Sequence, residues 1–253
     1  MKKLVQSTLP SLLAPFLENQ VYVQRTGLMA GLKRRGGFGF LPLKKALTRE
    51  HTFLKSLDFK GETVYDVGGH IGLISMFFAR AVGETGNVIT FEPNPSNYDA
   101  ILDHIELNGF TNIRVIKMGL GSKRETLKFV VPSSALGTAD PSKHERYLKR
   151  EGVQVFQIEL DTMDRQIAVN NLPKPDFVKM DVEGLEIDVL HGMTQTISDH
   201  RPRMLIELHG TNERGVVEFL LAHNYELRQV EDDIDITQQN IGLVHGHLYA
   251  YFD

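Results

Sequence analysis

Residues 64–67 form a short apolar run that carries one acid, Asp66, and leads straight into a turn holding Gly68, Gly69 and Gly72. A second apolar run, residues 88–91, ends on Glu92. A buried parallel strand needs a crossover, usually a helix, to reach its neighbour. Residues 71–82 supply it, with Ile71, Ile74, Ser75, Phe78 and Ala79 on one helical face and a stop at Gly83. Ser96 caps a second helix with Tyr98, Ile101, Leu102 and Ile105 inward, stopped at Asn108-Gly109, before a third strand over 113–118. This alternation predicts an α/β fold, a mostly parallel sheet with helices on both faces.

The rest of the chain continues and decorates that pattern. Residues 1–60 read as an N-terminal cap, in which 21–25 and 38–41 pair as strands around a glycine-rich, basic turn over 27–37. Lys33, Arg34 and Arg35 in that turn read as a solvated face, with contact to a substrate anion as the alternative. A short helix over 47–57 leads into the main domain, 61–253. Leu127, Phe129 and Val131 alternate as an edge strand, and Val153, Val155, Ile158 and Leu160 as another. Between them the polar stretch 132–152 is a lid-like insertion, because so long a loop inside a compact domain is usually functional or disordered. Ser133, Ser134, Lys143, His144 and Arg146 are its candidate substrate contacts. A strand over 177–180, a helix with Ile187, Leu190 and Met193 inward, a strand over 203–208 and a helix over 216–221 follow. Two late strands, 225–230 and 248–252, form an antiparallel edge with a helix-free link.

Composition narrows the function. With 253 residues and 42% hydrophobic content the chain can build a real core. A net charge of -4 with dispersed Lys and Arg argues against wholesale nucleic-acid binding. The absence of cysteine excludes disulfides, thiolate metal sites and a cysteine nucleophile. No apolar run is long enough to span a bilayer. Residues 1–18 are apolar but broken by Pro10, Pro15 and Glu18, which fits a packed helix, with weak membrane-surface contact as the alternative. A cytoplasmic location is expected.

Open parallel sheets bind ligands beyond the carboxyl ends of their strands, where the strand order reverses. Asp66 suits a ligand ammonium, and Glu92 suits the two hydroxyls of a ribose. The glycines do not fall in the register of a dinucleotide fingerprint, so a nicotinamide oxidoreductase is disfavoured. S-adenosylmethionine, with an amino-acid end and a ribose diol, fits better.

The three motifs Asp66-Val67-Gly68-Gly69-His70-Ile71-Gly72, Phe91-Glu92-Pro93-Asn94 and Lys179-Met180-Asp181-Val182-Glu183-Gly184-Leu185-Glu186 occur in that order. Together, over residues 50–209, they resemble the FkbM-type methyltransferases, a branch of the class I S-adenosylmethionine-dependent enzymes. The resemblance implies a Rossmann-like, seven-stranded sheet with the cofactor over its first four strand ends. It also implies an acceptor hydroxyl on a small molecule or saccharide. The candidate cofactor-binding set is Glu50, Asp66, Gly68, Gly69, His70, Gly72, Glu92, Pro93, Asn94, Gly119 and Asp181. There are two departures from the pattern: Gly69-His70 stands where members usually carry Ala-Asn, and Gly119 where many carry alanine.

Methyl transfer to a neutral hydroxyl calls for a general base near the sulfonium. The candidates are His209, the best tuned near neutral pH, and the carboxylates Asp181 and Glu183. Asp181 would also serve as a helix cap, and the acids around Glu186 suit a first helical turn. Asp181, Glu183, Glu207 and His209 match no recognised metal signature, so no metal is expected. A magnesium- or manganese-dependent O-methyltransferase built on them is the rival reading, and a cofactor-binding protein without turnover is another.

Overall fold

The computed structural model describes residues 19–36, 47–131, 148, 153–210 and 213–252. The expected packed helix over 1–18, with its alternative of membrane-surface contact, the expected strand at 38–41 and, apart from Leu148, the lid-like insertion lie outside the described residues.

The chain begins with a hairpin, β1 (Val21–Val23) and β2 (Lys33–Arg35), then helix α1 (Arg49–Ser56). Next, β3 (Thr63–Val67), α2 (Leu73–Val82), β4 (Asn87–Phe91), α3 (Pro95–Asn108) and β5 (Ile113–Ile116) alternate. β6 (Gly119–Leu120), β7 (Glu125–Val131) and β8 (Gln154–Asp161) make a separate sheet in the order β6-β8-β7. The main series resumes with α4 (Met163–Asn170), β9 (Phe177–Met180), α5 (Glu186–His191), α6 (Thr194–His200) and β10 (Arg203–Glu207). It closes with α7 (Glu213–Ala222), β11 (Glu226–Gln229), β12 (Ile234–Ile236) and β13 (His247–Tyr251).

The main sheet runs β12-β11-β13-β10-β9-β3-β4-β5. β10, β9, β3, β4 and β5 are parallel, while β13 is antiparallel to both its neighbours. This is the expected class I α/β sheet, with one strand more: β12 adds to the outer side of β11, and the link expected to be helix-free also holds a short 3-10 helix, Ile241–Leu243. β13 lies between β10 and β11, so the outermost strand is β12. From β3 the chain moves out through β4 to β5, then returns to β9 on the other flank. The strand order therefore reverses between β3 and β9, which places the ligand crevice at their carboxyl ends.

Strand residues alternate between two cores, as the period of two requires. Tyr65, Val67, Ile89, Phe91, Val178, Met180, Met204 and Ile206 join Met163, Val189, Leu190, Ile197, Val216 and Leu220 from α4–α7. Val64, Val88, Phe177 and Leu205 face the other way, against Leu54, Phe59, Met76 and Phe78. Leu28, Met29 and Leu32 of the hairpin turn belong to that second core, so the cap is fused to the sheet. Arg80 reinforces the join by donating to the carbonyls of Ala30 and Leu28, each at 2.8 Å.

Several local expectations are corrected. β1 pairs with Lys33–Arg35, which had read as part of a solvated turn. Arg35 is pinned there by Asp103, at 2.9 Å to each carboxylate oxygen, and its backbone N–H donates to His104. Helix α3 is capped by Asn94, whose side chain accepts from the Ser96 N–H, with Pro95 in the first turn. Its inward face carries buried His104, whereas Leu102 is exposed. Helices α4 and α6 had no counterpart in the periodicity: α4 is eight residues long, and α6 is set off from α5 by Gly192-Met193.

Candidate active site

The glycine turn is built by backbone contacts that leave no room for side chains. The N–H groups of Gly68 and Gly69 both donate to the Phe91 carbonyl, at 3.0 and 3.1 Å. Gly68 has φ +88°, and a Cβ there would sit 1.9 Å from the Asp181 carbonyl oxygen, so β3 and β9 approach each other only because this residue is glycine. At Gly69 the place of an alanine methyl is filled by Thr90 Cγ2, 2.2 Å from where that Cβ would stand. His70 has φ +48°, a left-handed conformation that Asn and His tolerate better than most residues. Its departure from the family's Asn thus keeps the backbone of the turn.

Two cavities open at these strand ends and meet at Gly68, His70 and Asp181, which line both. The first is lined by Phe91, Glu92, Pro93, Asn97, Gly119 and Leu120, with Phe129, Ile158 and Leu160 from the small sheet and Glu183. Glu92 is only 4% exposed. It accepts from the His70 N–H at 2.7 Å and the Asn94 N–H at 2.8 Å, with Asn97 Nδ2 at 3.3 Å. Burial pushes its carboxyl up to about 7, more than these donors pull it down. Each carboxylate oxygen retains acceptor capacity beyond these bonds, which suits a pair of ribose hydroxyls.

The second cavity is lined by Glu50, His51, Asp66, Gly69, Lys179 and Glu207, and by hairpin residues that include Gln24 and Arg34. Asp66 is fully buried. Ser75 donates to its Oδ2 at 2.5 Å, and Oδ1 has no hydrogen-bond partner among the described residues. Burial raises its pKa against the opposing pull of Lys179 and Ser75. Lys179, 4% exposed, donates to Asp181 at 3.1 Å. Burial favours the neutral amine, but Asp181, Asp66 and Glu50 outweigh it and hold the ammonium charged.

Beyond Asp181 lies a charge chain drawn from two strands, one helix and the loops beside them. His209 Nδ1 is 2.9 Å from Glu186 Oε1. Its Nε2 is 3.6 Å from Glu207 and 3.9 Å from both Asp181 and Glu183. Burial alone would lower the imidazole pKa; the bonds to Glu186 and Glu207 and the charges of Glu183 and Asp181 reverse this and push it up to about 10. On the other side of Glu207, His247 Nε2 stands 3.5 Å away, and its Nδ1 is 2.6 Å from Glu231. Held between two histidines, the Glu207 carboxyl lies far below the usual range.

Of the expected residues, Glu50, Asp66, Gly68, Gly69, His70, Glu92, Pro93, Gly119, Asp181 and Glu183 line the two cavities. His209 sits behind them, against Asp181 and Glu183. Gly72 and Asn94 line neither: Gly72 packs against Ile101, and Asn94 caps α3 while its N–H orients Glu92. Lys179, quoted only as part of a motif, Ser75, placed only on a helical face, and His247 carry no site role in the sequence pattern. A lysine inside the otherwise apolar β9 was a visible local conflict, and such conflicts cluster at functional sites. These residues fit S-adenosylmethionine: a buried diol acceptor in one cavity, an unsatisfied buried carboxylate in the other, and a glycine cradle between them.

Comparison with known proteins agrees. Residues 66–231 match the family model of the methyltransferase FkbM domain. The hexuronic acid methyltransferase AglP of Haloferax volcanii is 30% identical over 161 residues, 63% of this chain and 61% of that protein. Methyltransferase 1 of Beauveria bassiana is 23% identical over 159 residues, 57% of this chain and 64% of that protein. The match thus spans about three fifths of each relative's length. The crystal structure of methyltransferase FkbM from Methylobacillus flagellatus shares the fold at a TM-score of 0.53 and 20% identity, covering 77% of this chain and 45% of that one. By its motifs, its sheet order and a family match over well over half its length, the chain belongs to the FkbM methyltransferase family.

Proposed function

We propose that the protein transfers a methyl group from S-adenosylmethionine to a hydroxyl oxygen of a saccharide or related small molecule. The observation that carries this reading is the pair of buried strand-end carboxylates, Asp66 and Glu92, on either side of a glycine turn that admits no Cβ. When bound, the cofactor supplies a methyl group already activated on sulfonium. Glu92 orients the ribose, and Asp66 with Glu50 provides the negative side for the ammonium. Asp181, at the meeting of the two cavities, stands with Glu183 where the acceptor oxygen must lose its proton. Those carboxylates take that proton, and His209, ringed by Asp181, Glu183, Glu186 and Glu207, is the positive charge that keeps them together. The relative named for hexuronic acid supports a saccharide acceptor. Acceptor specificity is the role of the N-terminal cap and of the insertion over 132–152, and the reaction belongs to the cytoplasm. Among the described residues no helix is long and apolar enough to cross a membrane.

One observation favours a second reading. Asp181, Glu207 and His209 each offer a ligand atom, all within 4.8 Å of one another. Two carboxylates and an imidazole suit magnesium or manganese, and a divalent cation there would hold the acceptor oxygen and ease its deprotonation.

The test is transfer of a labelled methyl group to a panel of sugars, uronic acids and phenols, with and without a chelator. Labelling of a hydroxyl that survives chelation supports the first reading. Loss of transfer restored by magnesium or manganese supports the second. Absence of label on every acceptor, with S-adenosylhomocysteine still bound, would leave a binding protein. On the first reading, His209→Ala lowers methyl transfer and leaves S-adenosylhomocysteine affinity nearly unchanged.

A further inference from the structure

The second cavity holds a cation, Arg34, that has no ion-pair partner among the described residues. Arg34 lies on β2, opposite Tyr22 of β1, and its side chain lines the cavity beside Glu50, Asp66, His70 and Asp181. Its Nε is buried and has no hydrogen-bond partner among the described residues. The neighbouring cations are already committed: Lys179 to Asp181, and Arg35 to Asp103. A buried guanidinium nitrogen left unpaired is costly, so the site favours an anion there. Two residues along the same hairpin face, Gln24 lines the cavity too, and its buried Oε1 also lacks a partner. Among the described residues, the buried side-chain atoms of the hairpin without a partner are therefore one donor and one acceptor.

An amino-acid zwitterion offers the complement. We propose that Arg34 binds the α-carboxylate of the cofactor's methionine end. The ammonium is left to the acidic side of the cavity, Asp66 and Glu50, and to Gln24 Oε1. This rests on the cofactor reading given above. It makes the hairpin, which precedes the matched region 66–231, part of the cofactor site rather than a cover for the acceptor alone. The bidentate geometry of a guanidinium suits a carboxylate better than a lysine does. The alternative source of a carboxylate is an acidic acceptor such as a uronic acid, and the experiment separates the two.

The test is calorimetry on the full chain with three nucleosides: S-adenosylhomocysteine, its decarboxylated analogue and 5′-methylthioadenosine, which lacks both charged groups. In the wild type, S-adenosylhomocysteine is expected to bind roughly ten- to a hundredfold more tightly than the decarboxylated analogue, the scale of a charged hydrogen bond. Arg34→Gln should erase that difference while leaving 5′-methylthioadenosine within about twofold of wild type, and Arg34→Lys should restore part of it. Equal wild-type affinity for S-adenosylhomocysteine and its decarboxylated analogue overturns the proposal without needing any variant. So does an Arg34→Gln protein that keeps the difference, including one whose only defect is a raised KM for acidic acceptors. An equal loss for all three nucleosides in Arg34→Gln also overturns it, because that pattern reports a damaged pocket. A wild type that binds none of the three removes the cofactor reading itself, which is a distinct result.

Discussion

The two halves of the crevice are built in opposite ways. On the β3–β4 side Glu92 is held mainly by backbone donors, the N–H groups of His70 and Asn94, in a turn that Phe91 closes, while Asp66 accepts the Ser75 hydroxyl. On the β9–β10 side the acids are held by other side chains, in a chain running from Glu186 through His209, Glu207 and His247 to Glu231. The first arrangement makes a rigid, shape-selective binding site. The second makes a site where one proton or one cation redistributes charge over several groups, which is what deprotonating an acceptor requires.

Lys179 joins the halves, and removing it should have the largest effect. Lys179→Met leaves buried Asp66 and half-buried Asp181 without their cation, and should cost about 3–5 kcal/mol in denaturant unfolding. A loss under about 1 kcal/mol would mean the halves are not electrostatically joined. Next, Glu92→Ala should weaken S-adenosylhomocysteine binding by roughly 1–3 kcal/mol in calorimetry. Unchanged affinity would break the assignment of that half.

The two halves should also differ in pH response. In the free protein the Glu92 carboxyl titrates at about 7, against its ordinary 4.5. Its folded pKa is raised, so the stability it contributes is complete below about 4.5 and is lost as the pH climbs through about 7. Ribose hydroxyls donate to the ionised form, so cofactor affinity runs the other way and should rise about tenfold between pH 6 and pH 8. Glu92→Gln should flatten that slope, and a slope retained in the variant would assign it to another group. The smallest effect is expected from Glu186→Gln, which keeps the shape but weakens the hold on His209. Turnover should fall several-fold with S-adenosylhomocysteine affinity unaltered. Equal losses in both would show that the halves do not act separately.

This contrast also explains what the sequence disclosed. The β3–β4 half is local: Asp66, the glycines and Glu92 sit at the ends of consecutive strands, so spacing alone locates them. The parallel sheet followed from the same alternation. The β9–β10 half draws His209, from the loop after β10, and His247 of β13 together through Glu207, and the Glu207–His247 contact arises only from the β10–β13 pairing. Arg34 falls in the expected turn because pairing residues 21–25 with 38–41 puts 27–37 between them, whereas β1 pairs with Lys33–Arg35 itself. Helix α4 was missed because only Met163 and Gln166 are buried along it, too few to show a period.

The most direct measurement is a crystal structure of the protein with S-adenosylhomocysteine. The expected result is the ribose hydroxyls on the Glu92 carboxylate and the methionine end beside Asp66, with the sulfur facing Asp181. A nucleoside bound elsewhere, or one whose ribose makes no contact with Glu92, would contradict the assignment of these strand ends.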